Sequence, residues 1–414
     1  MTKITNIKAR EILDSRGHPT IEVEMYTKNN MARASVPSGA STGSHEAVEL
    51  RDHKKRYNGL GVQNVVRNVE KKIFPLLKGH DCTKQRTIDQ IMINADKTDN
   101  KSKFGANAIL AVSLANAKLA ALEKQQPLFQ HINNLFSNKV KPKMPLAHFN
   151  VINGGRHADN KLSFQEFMIV PQLRTFKENL RMASEVYHML KKDLHKKFGK
   201  GATNIGDEGG FAPVKFHKTV EAVRMLQKAI KNSGYKDKVK IALDSAASTC
   251  LTKGKYHIDR KKLTKDKLLA YYTELVRRYP SIVSIEDPFD QEDFLSFAAL
   301  TKKLNIQIVG DDLTVSNVDR IEEAIREKSC NCLLLKVNQI GTLTEALDAA
   351  NLAYDNNWKV MVSHRSGETT DDFIADLAVG IAAQIKAGAP CRGERLAKYN
   401  QLLRIEEILH SKSF

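Results

Sequence analysis

Between residues 238 and 386 the chain repeats one pattern: a short β-branched or aliphatic run, an ionisable residue, then a helical segment. KVKIALD ends on Asp244, SIVSIED carries Glu286 and IQIVGDD carries Asp311. NCLLLK ends on Lys336, KVMVSH on His364 and AAQIK on Lys386. A pitch of roughly 25 residues is about one strand plus one helix, the repeat of a parallel α/β sheet. Runs without alternation, such as CLLL at 332–335, suit strands covered on both faces. Upstream, apolar runs at 146–152 and 164–170 follow each other with no helix between them. A helix then starts at Thr175, where Thr175 and Glu178 form a capping box, and Leu180, Ala183, Val186, Tyr187, Leu190 and Leu194 share one face. Another helical stretch covers 218–233. The order ββαα(βα)6 predicts an eight-stranded barrel, and the ionisable strand ends should converge on its carboxyl rim.

The first third is patterned differently. Strands are predicted at 3–14, 20–27 and 32–37, with Ile21, Val23 and Met25 alternating with Glu22 and Glu24, the period of a half-buried antiparallel strand. The small-residue loop SGASTGS (38–44) leads into a helix expected near His45, and helical patterns follow at 62–79, 83–95 and 105–124. A sheet followed by helices makes an α+β domain. The polar, basic stretch SNKVKPKMP (137–145) carries two prolines and marks the boundary. The fold class is therefore α/β, an α+β domain over 1–136 followed by a TIM-type barrel over 146–414.

Composition changes this picture little. Hydrophobic and charged contents of 42% and 27% are ordinary for a globular chain. No apolar run reaches the roughly 18 residues of a membrane span, so membrane insertion is not expected. The start, MTKITNIKARE, lacks the apolar core of a signal peptide. Five scattered cysteines make no disulfide framework, and Cys330 and Cys332 flank the start of a strand as small buried thiols. A reducing cytoplasm is the expected compartment. The net charge of +18 raises an alternative, an RNA- or polyanion-binding protein on the same scaffold. The lysines, however, spread along most helices, as in KKDLHKKFGK (191–200), which reads as a solvated basic surface.

The candidate chemistry lies at the rim. Asp244, Glu286 and Asp311 end three successive strands, and all-oxygen ligands without His or Cys favour a hard cation such as Mg2+. Asp287 and Asp312, one residue further on, are expected to turn away and cap helices. Lys336 follows three leucines; burial and nearby cations would leave its amine neutral, a good base. Arg365 and Ser366 offer a fork and a hydroxyl for phosphate or carboxylate. Glu208, on a glycine-flanked loop, is the candidate acid. Together these suit removal of a weakly acidic proton beside a carboxylate, with the developing charge neutralised in place.

The ordered motifs VPSGASTGSHEAVELRD (36–52), NGGRHADN (153–160), QEFMIVP (165–171), GDEGGFAP (206–213), SIEDP (284–288), DDLTVSN (311–317), LLLKVNQIGT (333–342) and SHRSGET (363–369) resemble the enolase family from Ile4 to about Leu409. The pairing of a lysine base with Mg2+ in such sites is general knowledge of that superfamily. The resemblance implies that the first domain caps the barrel, and that the reaction interconverts 2-phosphoglycerate with phosphoenolpyruvate and water. It implies that Asp244, Glu286 and Asp311 hold one Mg2+, and that Ser41 helps to hold a second. Lys336 would take the proton, and Glu208, supported by Glu166, would protonate the leaving hydroxyl. His157, Arg365 and Ser366 would contact substrate, Lys386 its carboxylate end, and Gln165 and His364 would complete the rim. A homodimer is the assembly the resemblance implies.

Overall fold

The computed structural model describes residues 2–40 and 42–411. Three antiparallel strands open the chain in the order β1 (Asn6–Leu13), β2 (Pro19–Tyr26) and β3 (Met31–Ser35). Ile21, Val23 and Met25 are fully buried on one face of β2. On the other, Glu22 and Glu24 pair with Arg10 of β1 at 2.6 and 2.8 Å. The helix Ala106–Glu123 is buried almost all round and packs on β2 and β3; its alanines let the backbones come close. The pattern at 62–79 becomes a helix from Gln63 to Leu77 with one wider turn at Val69–Ile73.

Two details differ from the sequence reading. No helix starts at His45: residues 44–52 run without helix or strand. Their polar groups bond outward, Ala47 N–H to Gln339 at 2.8 Å and Val48 N–H to Asn100 at 2.8 Å, while Glu46 accepts from Gly43 N–H and pairs with Arg365. Tertiary partners outbid the local helix. A short helix at Leu128–Leu135 was not foreseen.

That short helix buries His131 completely, with its Nε2 unpartnered and its Nδ1 3.0 Å from Gln126. Burial, and secondarily the Lys124 ammonium, lowers its pKa to about 4. The unfolded chain protonates this ring below about pH 6.5, the folded chain only near 4, so this group's share of stability is present above 6.5 and lost as pH falls toward 4. At pH 5 the loss through His131 is about 2 kcal/mol. Denaturant melts of His131→Gln and the wild-type chain should show their stability difference shifting by that amount between pH 7.5 and 5; a constant difference contradicts the assignment.

Residues 137–146 lead without helix or strand into the barrel. Strands β4 (Ala147–Asn153) and β5 (Glu166–Pro171) form a hairpin, and helices Phe176–Phe198 and Thr219–Asn232 follow. Thr175 caps the first of these by accepting from Glu178 N–H. Strand β6 (Val239–Asp244) is followed by a small sheet of β7 (Leu251–Thr252), β8 (Lys255–Ile258) and β9 (Lys261–Leu263), which accounts for the long first interval of the repeat. Five strands complete the ring: β10 (Ile282–Glu286), β11 (Gln307–Gly310), β12 (Cys332–Leu335), β13 (Lys359–Ser363) and β14 (Gln384–Lys386). The barrel is closed, and helices Lys265–Arg278, Phe294–Lys303, Val318–Arg326, Leu343–Asp355, Phe373–Gly380 and Gly393–His410 alternate with the strands. The order is ββαα(βα)6.

Only β5 runs against both of its neighbours. Its first residue, Glu166, therefore arrives at the rim where the parallel strands end, opposite Asp244, and Asp244 in turn pairs in register with Glu286. The first domain is fastened over that rim. Ser38 and Gly367 exchange N–H···O bonds of 2.7 and 2.9 Å, and Lys118 reaches half-buried Asp371 at 2.8 Å. Among the described residues no helix is long and apolar enough to cross a membrane.

Candidate active site

The carboxyl rim forms a narrow cavity of about 20 Å³. It is lined by His157, Gln165, Glu166, Glu208, Asp244, Asp311, Lys336, His364, Arg365, Ser366 and Lys386. Of the other residues singled out from the sequence, Glu286 lies just beneath, bonded to Lys386, and Ser41 falls outside the described residues. The barrel geometry does the gathering, since each of these positions ends a parallel strand, starts β5, or sits on a loop above them.

Two ammonium groups organise the acids. Lys386 Nζ lies 2.9 Å from Glu166 and 2.8 Å from Glu286, with all three side chains buried. Lys336 Nζ lies 2.5 Å from Asp311 Oδ2, whose other oxygen accepts from Gln339 at 2.9 Å. Gln165 donates to Asp244 at 3.2 Å. Burial and the Glu286 charge raise the pKa of Asp244 well above the usual carboxylate range. At Asp311 burial is outweighed by Lys336 and Lys386, and its pKa falls. The neutral amine expected at Lys336 depended on nearby cations as well as burial; the neighbouring protein groups alone favour the ammonium. Burial pulls its pKa down, but the Asp311 carboxylate wins and raises it. The distance to one carboxylate, invisible in sequence, decides that sign.

Asp287 and Asp312 also depart from expectation. Neither caps a helix, since Asp293 and Asn317 hold those positions. Asp287, at φ +42°, turns back to accept from Asp311 N–H at 2.9 Å and Asp312 N–H at 2.8 Å, so it braces the loop that carries Asp311. Asp312 lines the mouth, where burial and then Asp311 raise its pKa to about 7. Asp287, Asp311 and Asp312 each offer an oxygen within 4.8 Å of the others. The set Asp244, Glu286 and Asp311 is tied instead to amide and ammonium groups.

Across the mouth, Glu208 and Glu166 face His157, whose Nδ1 lies 3.3 and 3.9 Å from them. Together the three could also hold a metal ion. Their environments split the two carboxyls. Burial would raise the pKa of Glu208, but His157 and His364 outweigh it and hold it well below its usual value. Burial and the Glu208 charge raise Glu166 to about 8. The two environments push the pair apart, Glu166 toward its protonated form and Glu208 toward its ionised one. Asn150 donates to Glu208 at 2.7 Å. Gly209, at φ +82°, permits the turn that points Glu208 inward. Glu208 O accepts from Ala389 N–H at 2.9 Å.

The phosphate-type donors are already engaged. Arg365 pairs with Glu46 at 2.8 and 3.1 Å and with Asn338 at 3.0 Å. Ser366 Oγ accepts from Ala40 N–H at 2.8 Å. Gly39 passes so close that a Cβ there would lie 2.0 Å from the Arg365 guanidinium. From the last barrel helix, fully buried Arg395 holds His364 at 2.6 Å and the Arg365 and Ser366 carbonyls at 2.6 Å each. Glu46, Asn150, Asn338, Gln339 and Arg395 were not picked out from the sequence. Glu46, Asn338 and Gln339 do lie inside motifs already quoted.

The fold and this rim define an α/β-barrel protein with an acid- and lysine-lined mouth closed by a smaller domain. Two family models match the chain: the enolase N-terminal domain over residues 4–132 and the enolase C-terminal TIM barrel domain over residues 141–414. The chain belongs to the enolase family.

Proposed function

We propose that the protein catalyses the reversible dehydration of 2-phosphoglycerate to phosphoenolpyruvate. The reading rests above all on one juxtaposition: a buried lysine amine among strand-end acids, facing a second carboxyl pair across a single cavity. A base and an acid on opposite sides of a substrate carbon are what an elimination of water requires.

Seven carboxyl groups (Glu166, Glu208, Asp244, Glu286, Asp287, Asp311, Asp312) surround three basic side chains (Lys336, Lys386, Arg365), all of them buried. A hard, oxygen-seeking cation fits such an acid excess. Asp244, Glu286 and Asp311 are the residues proposed to hold one Mg2+, with Ser41 proposed for a second. A cation held there would supply neutralisation of charge on the substrate carboxylate. Lys336 takes the proton from the carbon bearing the phosphate in its neutral form, which requires that it first release Asp311 and give up its own proton to solvent. Glu208 and Glu166, sharing one proton, deliver it to the departing hydroxyl, and His157 supports that pair. Arg365 exchanges Glu46 for the phosphate, and Ser366, Gln165 and His364 position the substrate. Lys386 faces its carboxylate end. Closure of the loops at 38–44 and 153–160 excludes water. A cytoplasmic homodimer is the proposed assembly, on the family likeness.

The test is an assay of purified protein with 2-phosphoglycerate and Mg2+, following enol absorbance. A signal that rises and then stops on addition of a chelator supports the reading. No enol at any protein concentration overturns it.

A further inference from the structure

The opposite end of the barrel carries a feature that this chemistry does not use. Where β13 and β14 begin, a groove of about 450 Å³ opens, within the range of small-molecule sites. Its lining includes Lys143, Arg174, Lys359, Tyr354 and Trp358. It adjoins a second hollow of about 390 Å³, which shares Leu146, Lys359 and Gln384 with it and is lined by His148, Gln307 and Asn331. The amino end of such barrels ordinarily serves stability, so a large cavity there has no role in the rim chemistry.

Its charge is selective. The chain has 65 lysines and arginines against 47 acids, yet among the described residues no Asp or Glu lines either hollow. Some exposed cations elsewhere have acidic partners, as Arg181 does with Glu178 and Glu185 and Arg277 with Glu274, while others such as Lys54, Lys55 and Lys71 have no ion pair among the described residues. Lys143, Arg174 and Lys359 have no ion-pair partner among the described residues. Between them stand two aromatic rings, one being the only tryptophan of the chain. The Trp358 indole N–H makes no hydrogen bond within the described residues. In the adjoining hollow, buried His148 has an unpartnered Nδ1, and Gln307 and Gln384 bond chiefly to each other, at 2.9 and 3.1 Å.

We propose that this groove is a second, non-catalytic binding site for a small aromatic anion of the nucleoside monophosphate class. Unpaired cations answer the phosphate. Trp358 and Tyr354 line the groove and give a flat ring an apolar wall to pack against.

Trp358 makes the site self-reporting. Titration of the full chain with adenosine 5′-monophosphate, exciting tryptophan, is expected to give a saturable change in emission. Adenosine and inorganic phosphate, each carrying half of the recognition, should bind at least about tenfold more weakly. The double variant Arg174→Ala/Lys359→Ala changes two exposed side chains, and should weaken adenosine 5′-monophosphate by at least roughly tenfold while leaving turnover at the rim unchanged. No saturable change in emission would overturn the proposal. So would binding that the double variant leaves intact, or inorganic phosphate binding as tightly as the nucleotide.

Discussion

Lys336→Ala should lower turnover of 2-phosphoglycerate by about 10³-fold or more, near the upper range for loss of a general base. The amine stands at the end of β12, buried, and 2.5 Å from an Asp311 oxygen. Among the described residues no other lysine but Lys386 lines this cavity, and Lys386 is held between Glu166 and Glu286. Alanine also leaves Asp311 with one fewer partner, although Gln339 still donates to it. Lys336→Met, which keeps the packing, separates the two effects. Both variants should lose activity by that factor, and the methionine variant should melt closer to the wild-type chain. Turnover within about tenfold of the wild-type chain in either contradicts the assignment.

The second large effect is on stability. Lys386→Met leaves Glu166 and Glu286 buried without the ammonium that bridges them at 2.8–2.9 Å. Removing one partner of a buried ion pair typically costs about 3–5 kcal/mol, because an uncompensated charge stays behind. The loss should be read in chelator-containing buffer by denaturant unfolding. It should also depend on pH. Glu166 and Glu286 already have raised pKa values from burial, and losing the ammonium raises them further. Protonation then relieves the repulsion, so the variant's deficit should shrink as pH falls. A deficit below about 1 kcal/mol, the size of an exposed pair, would contradict the bridging role.

These two lysines also show what the sequence could carry. Their positions were legible because a β-strand of this barrel is an unbroken aliphatic run, and the first ionisable residue after it falls at the rim. The same logic located Asp244, Glu286, Asp311 and His364. It could not find Glu166, because β5 runs in reverse and presents its first residue there; only the family likeness singled it out. Asp287 and Asp312 were misread since a strand end followed by a turn was treated as a continuing strand. The positive φ at Asp287 sends its carboxylate back to the Asp311 and Asp312 amides. The loop at 44–52 looked helical locally and is held open by bonds to Asn100, Gln339 and Arg365. Those partners lie far away in the chain, so no local pattern encodes them. Charge states are not legible for the same reason: the pKa values of Lys336 and Glu208 are shifted by the particular acid or imidazole that folding places beside them.

The central claim is a division of labour across the cavity, with Lys336 removing the proton and the Glu208–Glu166 pair serving the leaving hydroxyl. Incubation of 2-phosphoglycerate in D2O with Mg2+, followed by NMR of the C2 position, reads the first step alone. Glu208→Gln should still exchange that hydrogen while forming no enol, and Lys336→Ala should not exchange it at all. Exchange persisting in Lys336→Ala would contradict the account.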